Sequence, residues 1–66
     1  MKNTLKVERA KMDMTQAQLA EKIQVSRQTI NAMEANKYVP STVLALKISR
    51  LFCKTVNEIF ELEATD

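Results

Sequence analysis

The side chains best suited to chemistry in this sequence are Arg27, Gln28 and Asn31, which fall within five consecutive positions. On a helix opening after Ser26 they share the face opposite Ile30 and Met33, while Ala32 leaves room for close approach. A face of this kind at a helix N-terminus suits the edges of base pairs. An arginine forks onto guanine O6 and N7, and glutamine or asparagine pairs with adenine N6 and N7. Long polar side chains also cover ordinary exposed helices. Here the preceding apolar stripe, the tight connection and the composition of the face agree on nucleic-acid reading.

Other chemistry is poorly supplied. The 66 residues include no His, no Gly, one Cys and one Pro. Phosphate loops and dinucleotide fingerprints require glycine. Cys53 has no second cysteine to bridge and no histidine with which to share a metal, and no residue pair supplies a general base and a nucleophile. The reading is therefore of a non-enzyme without cofactor or metal. No membrane span or secretory leader is visible, and the lone thiol fits a reducing cytoplasm. The net charge is +2, unevenly spread. Glu58, Glu61, Glu63 and Asp66 give the tail −4, while the residues before it hold all ten basic groups against four acids. A basic body suggests a polyanionic partner, although a solvated surface would look similar on charge alone.

The elements that must position this face follow from capping signals and apolar spacing. Thr15-Gln16-Ala17-Gln18 has the form of a capping box ahead of Leu19, Ala20 and Ile23. Ser26 caps the next helix, which buries Ile30 and Met33 together with Val25 and carries Glu34 on the same side. Pro40 forbids helix at Val39, and Ser41 opens the longest stripe, Leu44, Ala45, Ile48, Leu51 and Phe52. Thr55-Val56-Asn57-Glu58 is a second capping box before a short last helix. A first helix spans roughly residues 4–12, with Leu5, Arg9 and Met12 on one side. The result is an all-α domain of five helices, residues 1–66, with a helix-turn-helix at about 15–35. Phe60 to Ala64 alternates apolar and acidic, a strand period. It could pair with residues 1–3, pair with a second copy, or be the frayed end of the last helix.

Thr15 to Ala20, Val25 to Asn31, Glu34 to Lys37 and Pro40-Ser41 resemble the Cro and phage-repressor type (XRE) of helix-turn-helix protein. The similarity covers about residues 4–60, and the chain resembles most the small stand-alone members such as the cytolysin-operon repressor. The resemblance implies a five-helix lambda-repressor-like domain that represses transcription, binding a palindromic double-stranded DNA operator as a homodimer through the major groove. By position it implies base or adjacent phosphate contacts from Arg27, Gln28, Thr29 and Asn31. Gln16 would bind phosphate and brace Gln28, and Asn36, Lys37 and Tyr38 would grip the DNA backbone with side chains and main-chain amides. Arg9 and Glu34 match a structural ion pair between the first and third helices. Two reading helices need a two-fold, and the apolar C-terminal segment, about 55–64 with Val56, Ile59, Phe60 and Leu62, is the expected dimer interface. No small-molecule effector is evident.

Glycine marks the departures. Relatives of this type often carry Gly where this chain has Gln24 and Asn36, and Gly or Asn where it has Cys53. Asn tolerates the left-handed conformation, whereas Gln24 and Cys53 would each be strained by about 1 kcal/mol unless a different turn avoids it. Cys53 is expected to be half-buried and inert. The alternative function is an antitoxin that binds a protein toxin as well as its operator, with the acidic tail as the contact. The short chain leaves little for such a partner to cover.

Overall fold

A computed structural model describes residues 1–66. The order is β1 (Lys2–Asn3), α1 (Leu5–Lys11), α2 (Gln16–Ile23), α3 (Arg27–Glu34), α4 (Thr42–Phe52), α5 (Val56–Ile59) and β2 (Phe60–Glu61). Helix starts are decided locally. Thr15 and Thr55 form complete capping boxes with Gln18 and Glu58, and the Ser26 and Ser41 hydroxyls accept the Thr29 and Leu44 amides at 3.1 and 3.2 Å. The Glu58 carboxyl lies below its ordinary pKa chiefly because it accepts the Thr55 amide. Thr4 makes no side-chain cap, and Asn3 Oδ1 instead accepts the Leu5 amide at 3.2 Å.

Helix ends are made without glycine. Asp13, Gln24, Asn36 and Cys53 all lie at positive φ, between 51° and 61°. The following amide in each case reaches back five residues, Met14 to Arg9, Val25 to Ala20, Lys37 to Ala32 and Lys54 to Ser49. This is the Schellman geometry, in which a left-handed residue lets the chain close the last carbonyls. Asn36 takes this conformation readily, whereas Gln24 and Cys53 take it against a Cβ clash of roughly 1 kcal/mol or more. Cys53 therefore does not escape through another turn, and it is exposed rather than half-buried.

The core comprises Leu5, Met14, Leu19, Ala20, Ile23, Ile30, Met33, Leu44, Ile48, Phe52, Ile59 and Phe60. Met12 is not part of it. Helix α1 stops at Lys11, so Met12 turns outward, 51% exposed, and the left-handed Asp13 swings Met14 into the position expected for it. Glu8 is buried instead, with its carboxylate 3.5 Å from Lys11 Nζ and 3.9 Å from Lys54 Nζ. The tail forms a strand within the same chain. β2 runs antiparallel to β1 with Lys2 opposite Glu61 and Asn3 opposite Phe60, and the Thr4 amide donates to Ile59 at 2.9 Å.

That pairing bears on the expected dimer surface. Ile59, the last residue of α5, and Phe60, the first of β2, are 1% and 6% exposed, so they are spent in the core of their own chain. Of the four residues expected at an interface, Val56 is half-buried and Leu62 is 77% exposed. Val39, Val43 and Leu46 are further large apolar side chains left in solvent.

Candidate nucleic-acid interface

Helices α2 and α3 pack through Leu19, Ala20 and Ile23 against Ile30 and Met33, all buried, and the left-handed Gln24 turns the chain between them. Burying Ile30 and Met33 turns Arg27, Gln28 and Asn31 outward, and all three are exposed. No protein group holds the Arg27 or Gln28 side chain, so both are free to meet a ligand. The half-buried Thr29 differs, because its hydroxyl lies 2.9 Å from that of the capping Ser26. An engaged hydroxyl leaves the methyl group as the freer part of that side chain.

Orientation of α3 depends on a polar cluster at its far end. Arg9 donates to both oxygens of Glu34, Nε to Oε2 at 2.8 Å and Nη2 to Oε1 at 3.0 Å, and its Nη1 donates to the Met14 carbonyl at 2.8 Å. A two-point fork of this kind fixes angle as well as distance. Burial pushes the Glu34 carboxyl up, but hydrogen bonds from Arg9 and Gln16 and the charges of Arg9 and Lys6 outweigh it, leaving its pKa below the ordinary value. The hydrogen bond to Glu34 raises the Arg9 guanidinium in turn. The arginine and glutamate expected as a pair therefore stand as one, joining α1 to α3.

Gln16 behaves differently from expectation. Its Nε2 donates to Glu34 Oε1 at 3.1 Å and to Asn31 Oδ1 at 3.4 Å, and it makes no bond to Gln28. Glu34 is an acceptor lying within reach of the first turn of α2, and it draws the amide inward. With both side-chain N–H groups committed, a phosphate would have to be met by the unpaired first-turn amides of α2, which any helix N-terminus leaves open.

The segment after α3 is also modified. Asn36, Lys37 and Tyr38 are exposed together beyond α3. The Asn36 and Lys37 amides, however, bond to the Met33 and Ala32 carbonyls in closing the helix, so their grip on a backbone must come from side chains. Asn3 is the residue that sequence reasoning missed. Its Nδ2 donates to the Met33 carbonyl at 2.7 Å and to Asn36 Oδ1 at 3.3 Å, which ties β1 to the end of α3. The contact spans 30 residues, and no local motif announces it.

The arrangement is thus a helix whose first turn presents the unpartnered Arg27 and Gln28, braced behind by a second helix and by a part-buried ion pair. The helix-turn-helix family profile matches residues 5–59. A Methanocaldococcus jannaschii protein named as the uncharacterized HTH-type transcriptional regulator MJ0272 is 51% identical over 63 residues, covering 96% of each chain. The Bacillus subtilis strain 168 protein YgzD, named likewise, is 44% identical over 63 residues with the same coverage. An Archaeoglobus fulgidus protein of the same description is 45% identical over 60 residues, 91% of this chain and 84% of its own. No helix is long and apolar enough to cross a membrane. The chain belongs to the XRE-type helix-turn-helix family of DNA-binding transcriptional regulators.

Proposed function

We propose that the chain is a repressor that binds a palindromic operator as a homodimer, with α3 in the major groove. The observation that carries this reading is the pair of exposed, unpartnered side chains, Arg27 and Gln28, in the first turn of an α3 held against α1 and α2. Arg27 and Gln28 reach base edges, Thr29 and Asn31 extend the reading face, and Lys37 with Asn36 and Tyr38 holds the DNA backbone. Phosphate contacts set register and base contacts set sequence. One such helix reads only a few base pairs, so specificity calls for two, about 34 Å apart along one face of the duplex.

The partner surface in this proposal is the groove beside α4, lined by Val39, Pro40, Thr42, Ala45, Leu46 and Val56. Leu46 is 57% exposed and points directly away from the buried stripe of Leu44 and Ile48, so it can enter the groove of a second copy. A two-fold makes this exchange reciprocal. Antiparallel crossing at Leu46 also brings Arg50, near the end of one α4, towards the acidic tail that leaves Phe60 beside the start of the other. Leu62 lies on that tail and adds apolar area.

Selection of bound duplexes from a randomised pool tests the reading. A two-fold symmetric consensus with half-sites one helical turn apart is expected, and light scattering of the complex should give two chains per duplex. An asymmetric consensus bound by a single chain would refute the proposal.

A further inference from the structure

Asn31 is joined to the part-buried ion pair of Arg9 and Glu34 by a chain of bonds whose polarity is forced. Glu34 is ionised beside Arg9, and a carboxylate can only accept. The Gln16 atom that faces it must therefore be the amide nitrogen, Nε2, at 3.1 Å. That same nitrogen lies 3.4 Å from Asn31, so the Asn31 atom turned towards it must be the acceptor, Oδ1. The Asn31 nitrogen is left on the other edge of the amide group, and neither of its N–H groups meets a protein acceptor.

We propose that Asn31 reads guanine as a donor only, with its amide orientation set through Gln16 by Glu34. The inference rests on the placement of α3 in the major groove. Free asparagine favours adenine, donating to N7 while accepting from N6. With Oδ1 already bound to Gln16, the accepting half of that pair is lost, and the adenine and cytosine amino groups would face an N–H. Guanine offers N7 and O6 side by side, two acceptors for the two free N–H groups. Thymine offers one. Gln16 is thus a positioning residue for base choice, fifteen positions from the residue it orients and not itself on a base.

The test uses duplexes selected from a randomised pool by the wild-type chain and by Asn31→Ala. The position at which the variant loses preference is the one Asn31 reads. Wild type is expected to favour guanine there and to bind the adenine duplex about tenfold more weakly. Placing 7-deazaguanine at that position, which removes the N7 acceptor, should weaken wild-type binding several-fold. Gln16→Met, similar in volume but unable to donate, releases the Asn31 amide to turn over. It should bring adenine to within about threefold of guanine. Wild-type preference for any other base overturns the inference, as does an adenine discrimination that Gln16→Met leaves unchanged. An Asn31→Ala protein that loses no base preference also overturns it. Should Gln16→Met fail to fold, the 7-deazaguanine duplex decides alone, and undiminished binding overturns the proposal. Failure of the underlying placement looks different, because wild type would then enrich no sequence at all.

Discussion

The ion pair of Arg9 and Glu34 allows a prediction in which the sign of a pH effect reverses. The Glu34 side chain is 7% exposed and that of Arg9 is 15% exposed. Arg9→Met strands the carboxylate with Gln16 as its remaining partner, and breaking a buried pair from one side costs about 3–5 kcal/mol. Loss of the bond to the Met14 carbonyl adds about 1 kcal/mol. A chain of 66 residues has a total stability of roughly 3–10 kcal/mol, so this variant is expected to sit at the edge of unfolding. Glu34→Gln is milder, about 1.5–3 kcal/mol, because an amide oxygen still accepts from Arg9. The double variant should be no less stable than Arg9→Met alone, which gives a coupling of about 2 kcal/mol.

The pH dependence separates this account from simple loss of packing. In the wild type the Glu34 pKa is lowered on folding, so its contribution is complete above the unfolded value near 4.3 and is lost as pH falls through the folded value. In Arg9→Met the strongest influence left on Glu34 is burial, which raises its pKa. The variant should therefore gain stability on acidification from pH 7 towards pH 5, where the wild type does not. Urea melts across this range, with a stabilising osmolyte added equally to every sample, provide the assay. Glu34→Gln supplies the baseline that removes the contributions of Glu58 and Asp66, both also lowered. Parallel pH profiles for wild type and Arg9→Met would refute the reasoning, and a vanishing coupling energy would do the same.

Three further outcomes follow from the geometry. Gln24→Gly and Cys53→Gly should each raise stability by about 0.5–1 kcal/mol, since relief of the Cβ clash exceeds the entropy glycine restores to the unfolded chain; thermal melts check this, and lowered melting temperatures would argue that the turns carry no strain. Gln28→Ala should cost about 1–3 kcal/mol on the selected operator and relax one base position, whereas Lys37→Ala should weaken all sequences alike and flatten the salt dependence by about one unit. Titrations at several salt concentrations distinguish them, and identical behaviour would show that base and phosphate contacts have been wrongly sorted. Leu46→Glu should leave the protomer folded, because the side chain is exposed, but should yield monomers by light scattering and a large loss of affinity for the palindrome over a half-site. A dimeric Leu46→Glu protein would remove the α4 groove from consideration.

How much was legible in the sequence depended on the range of the interaction concerned. The caps at Thr15, Ser26, Ser41 and Thr55 are decided within four residues, and all four formed as their spacing implied. The buried faces of α2, α3 and α4 followed from periodicity, and outward placement of Arg27, Gln28 and Asn31 is the complement of burying Ile30 and Met33. Glycine substitution at Gln24 and Cys53 could be located by resemblance, but the left-handed Asp13 could not, and with it the exchange of Met12 for Met14 was missed. The remaining errors are all long-range. Whether Gln16 meets Gln28 or Glu34 depends on how α2 crosses α3, and Asn3 finds Met33 only after β1 has paired with β2.

The burial of Ile59 and Phe60 has a physical cause that bears on function. So short a chain can bury only about 60% of its unfolded surface, so an apolar residue near the core is taken into it. Ile59 and Phe60 were claimed in this way, and the strand in which Phe60 pairs with Asn3 also holds Asn3 against the end of α3. The segment expected to serve association thus serves the reading helix first. What remains for a partner is the surface that the strand cannot reach, the outer side of α4 with Leu46 and the loop at Val39. That surface adjoins Phe60, so a second copy seated there would press on the strand pairing that fixes the end of α3. In the proposed dimer, association and DNA reading would then share one structural route, from α4 through the terminal strands and Asn3 to α3.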